Sequence, residues 1–226
     1  FLKKDTLRKS DGDPQAGEYT FGFYLERWHG LNMTTASAYR YVKSNFKDKL
    51  KDLEKEAKNL DPITYDKSGW KGVVEKLSKD HPGLNELVKT VSNVIKRASN
   101  HFDEYKVVQF PKQRLLIKSM PVFMQSILPY AAYIPPYPFD EDRIGEIYLS
   151  MPDEKGDKDS IDKKLSALYS YNNIELLVSE LAVPGMHLKY HESFKNISRV
   201  RKMANQPVIN NGWLCYSELL AEEMGY

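Results

Sequence analysis

Between Ser119 and Phe139 the chain carries no charged residue, yet that same stretch holds five prolines: Pro121, Pro129, Pro135, Pro136 and Pro138. An uncharged run of this length is long enough for a membrane-crossing helix, but each proline removes a backbone donor and clashes with the preceding turn, so no continuous helix can form there. The segment is expected to be irregular chain with extended stretches, buried within a globular protein, and no transmembrane span is expected. Whatever helices the protein has must lie on either side of it.

They are visible by periodicity. Ala38, Val42, Phe46, Leu50, Leu53, Ala57 and Leu60 recur at three- and four-residue steps, with Thr34 or Thr35 as a cap and Asp61-Pro62 as a stop, which predicts a long amphipathic helix. Leu84, Leu87, Val88, Val91, Ile95, Ala98 and Phe102 repeat the pattern after His81-Pro82-Gly83 and predict a second, core-facing helix. A short strand is expected over Gly145 to Ser150. Beyond the polar loop Asp153 to Ser160, one helix should run from about Ser160 to Val183, another from Pro184-Gly185 to Arg201, and a last one should follow Pro207. The fold class read from this is mainly α with a small β element, a single region over 1–226, with a helical layer in 1–110 and a cleft-bearing half in 111–226.

Charge sets limits on partners. Thirty-three Lys and Arg against thirty-one Asp and Glu leave a formal charge of +2, too little for a field that would draw in nucleic acid, and no nucleic-acid partner is expected. The single cysteine, Cys215, excludes an internal disulfide and is expected to be a small buried thiol.

Two segments carry the chemistry. One is Ser179-Glu180-Leu181-Ala182-Val183-Pro184-Gly185-Met186-His187-Leu188; the other is Asn211-Gly212-Trp213-Leu214-Cys215-Tyr216-Ser217-Glu218. Together with Tyr137 to Leu149, they resemble the bacterial domain-of-unknown-function family numbered 885, which carries His-Glu-Ala-x-Pro-Gly-His-His-Leu and then Glu-Gly-Trp-x-x-Tyr-x-Glu. The resemblance implies a zincin-like helical metallopeptidase scaffold. It also implies that the chain is a processed or truncated piece, with the rest of the scaffold supplied by the parent chain or another subunit, and it points to the bacterial cell envelope or periplasm.

The scaffold residues Pro184, Gly185, Gly212 and Trp213 match that pattern, and the chemical ones mostly do not. The resemblance puts a histidine ligand where Glu180 stands, a catalytic glutamate at Leu181, a second ligand at Met186 and a third at Asn211; His187 alone is kept. A hydrolytic zinc site needs ligands with one open position and a carboxylate to take a proton from water, and leucine cannot take it. The implied function is a catalytically degenerate metallopeptidase-like protein acting in binding or as a structural subunit, with no cofactor.

The enzymatic alternative is a zinc peptidase built on His187, His191 and Glu218, since two histidines four apart share a helix face. Glu180 is costly to bury alone and is expected to pair with His187. Asn211 could cap the last helix, Trp213, Tyr216 and Leu220 should be core, and Glu218 with Glu222 reads as a polar face. Zincins bind extended substrates along an edge strand, so Glu146, Ile147 and Tyr148 are the candidate substrate strand for a peptide or protein partner. Six tyrosines, at 130, 133, 137, 169, 171 and 190, are expected around that cleft.

Overall fold

The structure, a computed structural model, describes residues 17–105, 114–204 and 206–226. It divides into two compact units, one ending at Asn59 and the other running from Leu60 to Tyr226. The expected division at 110/111 lies outside the described residues.

In the first unit a short helix α1 (Gly17–Phe23) runs into a π-helical turn, Tyr24–Trp28, and then into the long helix α2 (Thr35–Leu60). Thr34 is its cap: its hydroxyl accepts the Ser37 amide at 3.1 Å, satisfying one of the donors that every helix start leaves open. The Thr35 hydroxyl ties back to the Glu18 carbonyl at 3.3 Å. The apolar stripe of α2 is present as expected but largely uncovered, with Val42 64% and Phe46 69% exposed and Ala57 buried.

The second unit opens with a helix that periodicity missed, α3 (Pro62–Ser78). Asp61 accepts the Thr64 amide and Pro62 occupies the first turn, where its missing donor costs nothing, so Asp61-Pro62 ends one helix and starts the next. Helix α4 (Leu87–Glu104) follows a 3-10 turn at Leu84–Glu86 and buries Leu87, Val91, Val94, Ala98 and Phe102 as its spacing requires.

Strands β1 (Leu115–Ser119), β2 (Ala131–Ile134) and β3 (Gly145–Leu149) form a sheet in the order β1-β3-β2, with β1 parallel and β2 antiparallel to β3; the four-residue helix α5 (Val122–Gln125) sits between the first two. The proline-rich segment thus supplies β2, an extended stretch as expected. Its burial is overturned: Val122, Phe123 and Ile127 are 84%, 77% and 76% exposed. A four-residue helix between prolines has no face long enough to pack, so its apolar side chains stay outside.

The remaining helices are α6 (Lys158–Leu168), α7 (Tyr171–Leu181), α8 (Met186–Phe194), α9 (Arg199–Met203) and α10 (Pro207–Glu223). Two stretches read as single helices are each broken in two. Ser170 caps α7 by accepting the Asn173 amide, and Ser198 caps α9 by accepting the Arg201 amide; a serine offering its own side chain to the backbone favours a new start over continuation. The core gathers Leu87, Val91, Val94 and Ala98 of α4, Ile147 and Leu149 of β3, Leu165 of α6, and Ile174, Leu177 and Val178 of α7. Among the described residues no helix is long and apolar enough to cross a membrane.

Candidate functional site

The joint between α7 and α8 is closely enclosed, with every residue from Ala182 to Leu188 buried. Gly185 is required there by close approach. A Cβ at that position would fall 1.8 Å from the Glu180 carbonyl oxygen and 2.5 Å from that of Ser179, backbone atoms that cannot swing away. Trp213 of α10 closes the joint from the other side, its indole Nε1 donating to the carbonyls of Pro184 at 3.0 Å and Gly185 at 3.1 Å. This is the physical link between the two sequence segments: the tryptophan of one caps the carbonyls of the Pro-Gly turn of the other.

Glu180, at the last turn of α7, meets Glu218 of α10 across this joint. Burial, and then the hydrogen bond to the Glu218 carboxyl, push the Glu180 carboxyl up to about 7. Ionising Glu180 would set its charge beside another carboxyl in a partly dry site, which is why its proton is held more tightly than that of an exposed glutamate. Glu218 is therefore not part of a plain polar face, and sequence spacing alone could not have paired it with a residue 38 positions away on another helix.

His187 is 1% exposed, with its Nδ1 hydrogen-bonded to the Tyr133 hydroxyl of β2 at 3.0 Å and its ring edge-on to that tyrosine. Burial raises the Tyr133 pKa, so its O–H stays protonated and able to donate. Gly145 makes this contact possible. A Cβ on it would lie 2.6 Å from His187 Nδ1 and 2.7 Å from the Tyr133 oxygen. Neither Tyr133 nor Gly145 carried a signal in sequence beyond an unusual tyrosine count and a lone strand glycine, since the contact joins the sheet to α8.

Next to it, Tyr190 stacks on Tyr133 with ring centres 5.9 Å apart, Lys189 donates to the Asn210 amide oxygen, and the Asn210 amide nitrogen donates to the Tyr190 hydroxyl at 3.3 Å. Burial lowers the Lys189 pKa. Of the six tyrosines, Tyr130, Tyr133, Tyr169 and Tyr190 pack here or in the adjoining core, where Tyr169 donates to the Tyr130 carbonyl and Tyr130 to that of Asn173. Tyr137 and Tyr171 are exposed.

Several expectations are corrected. Helix α10 starts at Pro207, so Asn211 lies in its second turn, exposed, and does not cap it; nothing lies within 4 Å of where a Gly212 Cβ would be. Cys215 is exposed because it shares the outer side of α10, and Tyr216 is 48% exposed for the same reason. Ile147 and its neighbours Glu146 and Tyr148 belong to the central strand, whose backbone is committed on both sides, so they are not an edge. Ile147 itself is core, while Glu146 bonds Lys118 and the Tyr148 hydroxyl. Among the described residues, the strand edge beside His187 that no other strand pairs with belongs to β2.

Zinc fits this donor set poorly. Among the described residues no three His, Cys, Asp or Glu side chains converge where they could hold a metal ion. His187 is turned into the core against Tyr133, and Glu218 is engaged by Glu180. His191, one turn along α8, is half-buried, with its pKa lowered by burial and then by Lys195 and Arg143. Leu181 packs against the core and Met186 is buried, neither offering a carboxylate or imidazole. Hence His187, His191 and Glu218 do not come together as a ligand set.

The fold and this joint define a mainly helical protein with a small three-stranded sheet, organised around a Pro-Gly turn whose carbonyls a tryptophan caps. The chain belongs to the DUF885 family, "Bacterial protein of unknown function", whose model matches residues 1–226. Two solved structures share the fold. A "putative lipoprotein of unknown function" from Shewanella oneidensis is 20% identical with a TM-score of 0.77, and the match covers 100% of this chain and 40% of that one. A "putative lipoprotein" from Colwellia psychrerythraea is 19% identical with a TM-score of 0.65 and is matched over 93% of this chain and 35% of its own. The chain therefore spans well under half the length of these relatives. No curated protein matches it.

Proposed function

We propose that this chain is a zincin-like scaffold without metal-dependent hydrolysis that binds an extended peptide along the open edge of β2. The observation that carries the reading is the meeting of Glu180 with Glu218, which places two carboxyls in the joint where the family motif implies a metal ligand, with burial and then the Glu218 carboxyl pushing the Glu180 carboxyl up to about 7. With leucine at 181, no carboxylate stands beside it to activate water.

What remains is a wall suited to polypeptide: a strand edge unpaired among the described residues, lined by Tyr133 and Tyr190, next to a pocket-bearing loop. The lipoprotein descriptions of the two structural neighbours support placing it in the bacterial cell envelope.

The test is metal content together with peptide binding. Purified protein incubated with zinc and then dialysed should retain no stoichiometric metal by mass spectrometry, while binding an extended peptide with measurable affinity. One equivalent of zinc, lost on His187→Ala, would sink the reading and restore the peptidase.

The uncovered stripe of α2 favours a second reading, in which the chain is one part of a larger assembly that covers Val42 and Phe46. Monomeric behaviour at high concentration in sedimentation, without binding of a hydrophobic dye, would remove it.

A further inference from the structure

The hydrogen-bond phase of the sheet fixes which groups of β2 face outward. The Ser150 amide donates to the Tyr130 carbonyl at 2.9 Å, so residues 130 and 150 form a bonded pair; antiparallel pairs alternate, and Ala132 with Tyr148 and Ile134 with Glu146 are bonded too. Ala131 and Tyr133 must then point their N–H and C=O groups away from β3. The opposite strand agrees: Leu149, partner of Ala131, gives its carbonyl to the Met120 amide on the β1 side. Among the described residues no strand pairs with that outer edge. Donors and acceptors at this two-residue repeat form a template that a polypeptide backbone matches.

On the sheet face away from the core, register aligns Leu116, Glu146 and Ile134 in one row across the three strands. All three line a cavity of 660 Å³, closed further along by Tyr190 and Phe194 of α8 and Met203 of α9. A strand added to β2 continues that row by one position, about 4.8 Å beyond Ile134. Glu146 is already engaged by Lys118 and Tyr148, which leaves Asp140 and Lys202 as opposite charges on a mainly apolar wall.

Resting on the peptide-edge reading, we infer that this cavity is a side-chain subsite: it takes one bulky apolar or aromatic residue of the bound peptide, the neighbouring residue facing Tyr133 on the other side. The cavity, at 660 Å³, has more than enough room for such a side chain on its mainly apolar wall, and alternation along a strand sends successive residues to opposite faces.

The test uses fluorescein-labelled Ala-Ala-Xaa-Ala-Ala peptides with Xaa Phe, Leu, Ala or Asp, read by fluorescence polarisation against the 226-residue chain. Phe and Leu peptides should bind about tenfold or more tighter than Ala and Asp. The surface variant Met203→Asp should erase that preference, and N-methylation of alternate peptide bonds should abolish binding. Equal affinity for all four peptides with N-methyl sensitivity intact overturns the subsite and leaves the edge reading standing. Absence of saturable binding to any peptide overturns both.

Discussion

The two halves of the family motif differ in how they treat their glycines. Gly185 sits in a joint where every neighbour is buried and a Cβ would overlap backbone, whereas Gly212, immediately before Trp213 in the chain, faces open space. The Pro-Gly half is thus fixed by atoms this chain already contains. On the other half only the inward side of α10, Trp213 and Glu218, has a determined partner, and its outward residues Asn211, Gly212 and Cys215 are solvent-facing. A shared sequence pattern can therefore combine a position settled by packing with one that packing in this chain does not explain.

That contrast can be broken most forcefully at Gly185. Gly185→Ala should destabilise the chain by roughly 3 kcal/mol or more, since the clash is with backbone and forces α7 and α8 apart. Urea denaturation followed by circular dichroism measures it, and a midpoint within error of wild type would show that the joint yields freely.

Gly145→Ala should cost about 2 kcal/mol by prising Tyr133 from His187, side chains that can shift more readily than backbone. The signature is a changed His187 ring resonance in NMR at unchanged helix content.

At Glu180 the effect depends on pH. Its carboxyl is raised from 4.5 to about 7 in the fold, so the stability this group contributes is fully present below 4.5 and is lost as pH rises through about 7. Because the group is half exposed, the loss is discounted to about 1–2 kcal/mol. Glu180→Gln keeps a hydrogen bond to Glu218 without the ionisation, so its denaturation midpoint should change less between pH 5 and pH 8. A parallel decline in the variant would assign the pH dependence elsewhere.

Smallest is Gly212→Ala, expected to stabilise α10 by up to about 1 kcal/mol, because an exposed helical glycine carries an entropic cost that alanine removes. A destabilisation in its place would reveal a close neighbour at Gly212 and narrow the contrast with Gly185.

Sequence made legible what rests on period and composition. The stripe of α4, the strand at β3 and the helix after Pro207 all follow from local spacing, and the Pro-Gly and Gly-Trp segments meet in the fold through Trp213. The helix α3 was hidden because Asp61-Pro62 served as both a stop and a start. The break between α6 and α7 turned on a single serine cap inside an otherwise continuous apolar pattern. Least readable was the site itself: Glu180 meets Glu218 and His187 meets Tyr133 only because α10 and the sheet are brought to the ends of α7 and α8, and no one-dimensional spacing encodes that meeting. Tyr216 and Cys215 failed for the converse reason, since the apolar period of α10 does not say which of its sides is covered.

The raised Glu180 carboxyl also alters the accounting of the folding reaction. The formal charge of +2 takes every Asp and Glu as ionised. Between the ordinary glutamate range and neutrality, the folded chain carries proton density that the unfolded chain has released, so folding draws hydrogen ions from the solvent. The apparent heat of unfolding then includes the heat of protonating the buffer and differs between phosphate and Tris at the same pH, a thermochemical trace of one carboxyl brought under another by the meeting of two helices.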